Sequence, residues 1–141
     1  MKRSASAQWT GGIKDGGGTL TTDSGVLSDT QYSFSTRFES GIGSNPEELI
    51  AAAHAGCFSM ALSGFLGSEG HPPKTIDTTA TVTLEKAELG FSIAGVHLDV
   101  TVDVPGMDES TFLATAKKAK EGCPVSRALS VPITMDARLA S

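Results

Sequence analysis

The sequence predicts an α+β fold, on three observations. Apolar and polar residues alternate over 31–39 and again over 76–104, the period of strands with one buried face. The stretch 46–67 is apolar almost throughout, and 108–121 repeats its apolar residues at helical spacing. Strands therefore come in runs broken by two helical blocks, which is the pattern of α+β proteins.

Taken in order, residues 1–40 read as short strands around Ser6–Thr10, Gly18–Thr22 and Gln31–Glu39, joined by glycine-rich turns. In the third, Tyr32, Phe34, Thr36 and Phe38 alternate with Ser33, Ser35, Arg37 and Glu39. The loop 41–45 leads into a helix start. Asn45 suits the N-cap, Pro46 the first helical position, and Glu48 the third, where it can close a capping box. Glu47 is left without a capping duty, although both carboxylates suit the positive helix end. The helix 46–67 is apolar nearly all round, from Leu49 and Ile50 to Phe65 and Leu66, and needs cover on most sides. A second copy of the chain covers it better than one copy alone, so a dimer with this helix at its centre is expected. A proline-containing link at 71–75 leads to a hairpin over 76–104, with its turn near Glu88-Leu89-Gly90. An amphipathic helix follows over 108–121, with Phe112, Leu113, Ala116 and Ala119 inward. A short helix starts near Pro124, and a strand over 132–139 closes the fold.

The 141 residues show no internal repeat or linker and are read as one domain, 1–141. Such a domain buries roughly 68% of the surface its unfolded chain exposes, so it needs neither disulfide staples nor a metal to fold. Net charge is −5, and the cluster Lys117, Lys118 and Lys120 is no basic stripe, so no nucleic-acid face is expected. Lys2 and Arg3 precede no apolar stretch, so no signal peptide is read. His54, Gly56 and Ser59 break the longest apolar run, so no membrane span is expected. A reducing cytosol is the expected location, where disulfides are transient.

The chemistry rests on two cysteines in different settings. Cys57 lies within the apolar helix, and Cys123 lies in Gly122-Cys123-Pro124-Val125, where one helix ends and another begins. They are either a reacting thiol pair or two small core residues. A thiol attacks as thiolate, and its ordinary pKa is about 8.5. Cys57 in mid-helix gains nothing from the helix dipole and needs a cation, for which Arg37 is the candidate. Cys123 at a helix start is favoured by the dipole, which on local grounds makes it the better nucleophile. Other sites are weaker. His54, His71 and His97 with the two cysteines match no standard zinc spacing. Asp15-Gly16-Gly17-Gly18-Thr19 lacks the Lys and Ser/Thr of a phosphate loop and reads as a hairpin turn. No G-x-S-x-G motif is present.

Asn45-Pro46-Glu47-Glu48-Leu49-Ile50, Ala52-Ala53-His54-Ala55-Gly56-Cys57-Phe58-Ser59-Met60-Ala61-Leu62 and Lys120-Glu121-Gly122-Cys123-Pro124-Val125-Ser126 together resemble the OsmC/Ohr family of peroxide-detoxifying proteins, its OsmC branch most closely. Thr36-Arg37-Phe38-Glu39, Ile76-Asp77-Thr78-Thr79-Ala80 and Val104-Pro105-Gly106 extend the likeness over nearly the whole chain. The resemblance implies an intertwined homodimer, with two long central helices flanked by antiparallel β-sheets and two active sites at the interface. It implies that Cys57 is the peroxidatic cysteine, that Cys123 resolves it as a Cys57–Cys123 disulfide, and that Arg37 and Glu47 serve the site. This reverses the order that local pKa reasoning favours. It implies a hydroperoxide reductase that needs no cofactor or metal and is returned to its dithiol form by an external thiol. The apolar residues Phe34, Phe38, Phe58, Met60 and Phe65 favour an organic hydroperoxide over hydrogen peroxide. A non-catalytic redox sensor and an apolar-ligand carrier are the alternative readings. Glu47 and Cys57 stand ten residues apart on one helix, an axial rise of about 15 Å. If Glu47 serves the site, it is expected to come from the partner subunit, with Arg37 following it.

Overall fold

Local hydrogen bonding decides the first half of the chain. The computed structural model describes residues 1–140. They form two compact units, Met1–Leu49 and the remainder from Ile50.

In the first unit, β1 (Ala5–Thr10), β2 (Gly17–Thr22) and β3 (Thr30–Tyr32) make an antiparallel sheet in chain order. The glycine-rich segment after β1 is a hairpin turn, with Thr10 paired to Gly17. The third strand is shorter than the alternation predicts. Residues 34–38 are helical, α1 (Phe34–Phe38). Ser33 caps it: the Thr36 N–H donates to Ser33 Oγ (3.3 Å), and the Ser33 N–H donates to Thr36 Oγ1 (2.8 Å). This reciprocal box outweighs the period-two pattern. Phe34 and Phe38 are also four apart, so they share a helix face as readily as a strand face, with ring centroids 5.0 Å apart. No apolar residue of this unit is fully buried.

The helix α2 (Pro46–Ser68) starts in the first unit and continues into the second. Asn45 is its N-cap, with Oδ1 accepting from the Glu48 N–H at 2.8 Å. By length and composition α2 is able to cross a membrane, so the breaks at His54, Gly56 and Ser59 do not disqualify it. Its buried residues within the chain are His54, Phe58, Leu62 and Leu66, a single stripe at four-residue spacing. Phe58, Leu62 and Leu66 belong to the main core. Met60 is 80% exposed, and Ala52, Ala53, Gly56, Gly64 and Phe65 are also open.

The second sheet follows. β4 (Thr75–Ala87) and β5 (Gly90–Asp103) form the expected hairpin, with Glu88 and Leu89 in the turn and Gly90 at φ 102°. Val96, Leu98, Val100 and Val102 point every second side chain into the core. The chain then runs through α3 (Glu109–Gly122) and α4 (Pro124–Ala128) before β6 (Ile133–Leu139). Because this helical crossover returns the chain to the same end of the sheet, β6 lies parallel to β5. The sheet β4-β5-β6 is mixed, which corrects the all-antiparallel expectation. On α3, Phe112, Thr115, Ala116 and Ala119 face inward. Leu113, expected inward, is 42% exposed, because it lies about 100° around the helix from Phe112.

Candidate active site

The sequence Gly122-Cys123-Pro124 builds the junction that places one thiol. A residue before proline is pushed out of the helical region, and Cys123 sits at φ −58°, ψ 127°. It therefore ends α3, its N–H bonding Ala119 O at 2.9 Å, and stands as N-cap of α4, with Pro124 at the first helical position. Its side chain makes no capping bond. The Cys123 thiol instead donates to Cys57 Sγ at 2.9 Å. Both cysteines are free, Cys123 fully buried and Cys57 partly so.

The first turn of α4 also serves Cys57. The Val125 N–H hydrogen-bonds its sulfur and lowers its pKa. Burial is the larger influence and pushes the thiol up, and the Cys123 thiol pushes it further. None of these influences is a cation. Sequence reasoning assigned the helix-start effect to Cys123, whereas the N–H involved points at the other sulfur.

One turn earlier on α2, His54 Nε2 lies 2.7 Å from Ser126 Oγ, and both residues are buried. Burial holds His54 below the ordinary histidine pKa, hence neutral. Its Nδ1 has no partner, the one buried side-chain nitrogen or oxygen in that condition among the described residues. Such an orphan costs about 1–3 kcal/mol. This bond was not anticipated; the placement of His54 three before Cys57 and Ser126 three after Cys123 was its only signal. The zinc set considered for the histidines does not assemble. His71 Nδ1 faces Pro105 O at 3.4 Å, and His97 bonds Thr134 and Asp136. No group of three His, Cys, Asp or Glu is placed to hold a metal among the described residues.

The first unit carries the arginine. Arg37 Nε and Nη2 donate to Glu47 Oε1 at 3.0 and 2.8 Å, with Nε also 3.3 Å from Oε2. Glu47 is 12% exposed and Arg37 39%, so the pair is only partly screened by water. Asn45 ties the two ends together. While its Oδ1 caps α2, its Nδ2 donates to Thr36 O at 3.2 Å, fixing the residue beside Arg37 relative to the one two before Glu47. Gly43 makes that turn possible: its φ is 154°, and a Cβ there would meet Thr36 Cγ2 at 2.8 Å. Beside Arg37 lies a cleft of about 330 Å³, lined by Trp9, Ile13, Tyr32, Phe34 and Phe38. The guanidinium rests 5.1 Å from the Phe38 ring centroid. Of the apolar residues expected around the substrate, Phe34 and Phe38 line this cleft, Phe58 is in the core, and Met60 and Phe65 are solvent-exposed.

An OsmC-like protein family model matches residues 39–137. The chain belongs to the OsmC-like family. It is 54% identical over 141 residues to peroxiredoxin OsmC of Escherichia coli strain K12, covering all of this chain and 99% of that protein. It is 31% identical over 101 residues to the organic hydroperoxide resistance protein of Xanthomonas axonopodis pv. citri, covering 71% and 69% of the two chains. The crystal structure of the organic hydroperoxide resistance protein OhrB of Bacillus subtilis superposes with TM-score 0.71 at 28% identity, over 97% of this chain and 98% of that one. An OsmC-like protein of Vibrio cholerae reaches TM-score 0.77 at 17% identity, over 98% and 99%, a likeness of fold alone. The family match spans Glu47, Cys57 and Cys123, while Arg37 lies just before it and within the full-length alignment to the E. coli relative.

Proposed function

We propose that this OsmC-like chain is a thiol-dependent hydroperoxide reductase in which Cys57 attacks and Cys123 resolves. The observation that carries the reading is the 2.9 Å contact between two free thiols 66 positions apart. The peroxiredoxin and hydroperoxide-resistance relatives support it.

The Cys57 thiolate attacks one oxygen of ROOH, the O–O bond breaks, and RO⁻ leaves and takes a proton to become ROH. Cys57 is left as sulfenic acid. The Cys123 thiol attacks that sulfur, and hydroxide leaves with the thiol proton as water, giving the Cys57–Cys123 disulfide. An external dithiol is oxidised as it returns both cysteines to thiols. In sum, ROOH and a dithiol become ROH, water and a disulfide.

Burial pushes the Cys57 thiol up, and a guanidinium beside it would favour the thiolate. Arg37 is that group, held flat by Glu47 so that its free edge meets the O–O group. On the uninterrupted helix α2, Glu47 lies about 15 Å from Cys57 along the axis, so the Arg37–Glu47 pair serves the partner's Cys57 in a homodimer. Two further features favour that dimer. Outside its one buried stripe α2 leaves Ala52, Ala53, Gly56, Met60 and Phe65 exposed, and the sheet β1-β2-β3 has no buried apolar residue of its own. The cleft beside Arg37 takes the hydrocarbon of an organic hydroperoxide. We read residues 1–141 as one domain, matched end to end by its E. coli relative, and place its action in the reducing cytosol.

The test is hydroperoxide consumption with a dithiol reductant. Wild type should turn over many times and Cys57→Ser not at all. Consumption that stops at one equivalent with every dithiol tried would favour a sensor.

A further inference from the structure

Two pairs join α2 to the short helix α4, and they form a ladder. Cys57 meets Cys123, and His54 meets Ser126. His54 precedes Cys57 by three residues and Ser126 follows Cys123 by three, so each helix presents both partners on one side. The helix α4 has five residues, too few to be stable alone, so its position depends on such tertiary contacts.

The two pairs differ in what oxidation does to them. A thiol is a weak hydrogen-bond donor, and the contact between the sulfurs changes once Cys57 carries an oxygen. In the disulfide, a covalent bond holds α4. In the dithiol and sulfenic forms that task falls to groups that do not change, and the His54–Ser126 bond is one of them. His54 is also a poor choice for stability alone. It is fully buried in the same stripe as Phe58 and Leu62, and its Nδ1 is unpaired. An apolar side chain there would bury no orphan.

We propose that His54 is a positioning residue for the dithiol: with Ser126 it latches α2 to α4 and holds Cys57 and Cys123 within reach before they are bonded. The proposal rests on the redox-active dithiol read above. Its function is to raise the effective concentration of one thiol at the other, so that the sulfenic acid closes to disulfide, releasing water, before a second peroxide oxidises it further. The neutral imidazole brings no charge beside the sulfurs.

The test equilibrates the full-length protein in dithiothreitol redox buffers and measures the Cys57–Cys123 disulfide by mass spectrometry. This readout is independent of peroxide chemistry. His54→Leu combined with Ser126→Ala removes both polar partners, so its melting temperature should equal or exceed wild type. Its disulfide equilibrium constant should fall at least about tenfold, about 30 mV in potential. Ser126→Ala alone, a smaller change, should show a loss of the same direction. His54→Gln, whose amide nitrogen reaches the position of Nε2, should stay within about threefold of wild type. With one equivalent of cumene hydroperoxide, the double variant should give more trappable Cys57 sulfenic acid than wild type. An equilibrium constant within twofold of wild type in the double variant and in Ser126→Ala overturns the proposal. So does a loss in His54→Gln as large as in the double variant. If wild type itself consumes no hydroperoxide, the peroxidase reading fails, and the redox titration still decides the latch.

Discussion

Cys123 donates its thiol hydrogen to Cys57 across 2.9 Å, from a junction between two helices to the middle of a third. A disulfide S–S bond is about 2.05 Å, so closure needs the sulfurs to approach by less than about 1 Å. The proposed resolving step therefore starts with the two sulfurs already in contact.

One prediction follows from that distance. After one equivalent of organic hydroperoxide, peptide mapping should find Cys57 linked to Cys123, and a non-reducing denaturing gel should show a monomer. In Cys123→Ser one equivalent should still be consumed, with a sulfenic-acid reagent labelling Cys57. A covalent dimer band, or label on Cys123 in place of Cys57, would reverse the assignment.

Which of these relationships the sequence could disclose depended on how local the physics is. The Asn45 cap and the Pro124 helix start were legible because capping and proline sterics act within a few residues. The α1 helix was hidden because Phe34 and Phe38 fit both periods, and only the Ser33 and Thr36 box distinguishes them. The parallel pairing of β6 with β5 depends on where a two-helix crossover delivers the chain, which no local pattern encodes. The roles proposed for Cys57 and Cys123 came from family likeness, because local reasoning placed the helix-start N–H on the other sulfur. Arg37 was legible as the candidate cation, but its pairing with Glu47 was not, because that pairing crosses a turn shaped by Gly43 and Asn45.

The pH dependence of attack should report on Arg37. Burial and Cys123 hold the Cys57 thiol above its ordinary pKa, so its thiolate fraction, and with it the attack rate, rises as pH rises. A guanidinium lowers a thiol pKa by favouring the charged form. Arg37→Ala should therefore shift the rate–pH curve of Cys57 alkylation to higher pH, with the rate at pH 7 falling at least about tenfold. Stopped-flow alkylation between pH 6 and 10 checks this, and superimposable curves would remove Arg37 from the activation.

The cleft beside Arg37 should set substrate preference. Apolar burial contributes about 0.8 kcal/mol per methylene, so catalytic efficiency should rise from hydrogen peroxide to tert-butyl to cumyl hydroperoxide. Phe34→Ala, which empties part of the Trp9, Tyr32 and Phe38 lining, should lower efficiency for the cumyl substrate by roughly tenfold and leave that for hydrogen peroxide nearly unchanged. Equal losses for both substrates would mean that Phe34 supports the position of Arg37 and does not contact substrate.

Subunit complementation tests whether each site is shared. Arg37 and Glu47 are paired within one chain, so they act together wherever they act. Ten helical residues separate Glu47 from Cys57, about 15 Å of axial rise and about 1000° of turn, so the two side chains leave α2 on different faces. A second copy crossing near the middle of α2 would bring its own pair to this Cys57 and cover the open Met60 and Gly56 faces. Mixed dimers of Cys57→Ser with Glu47→Ala chains should then regain close to half the wild-type activity per dimer, since one of two sites keeps all its groups. Arg37→Ala with Cys57→Ser should complement in the same way. If subunit exchange is verified by mass spectrometry and activity stays at the level of the parents, the arginine and the thiol of each site belong to the same chain.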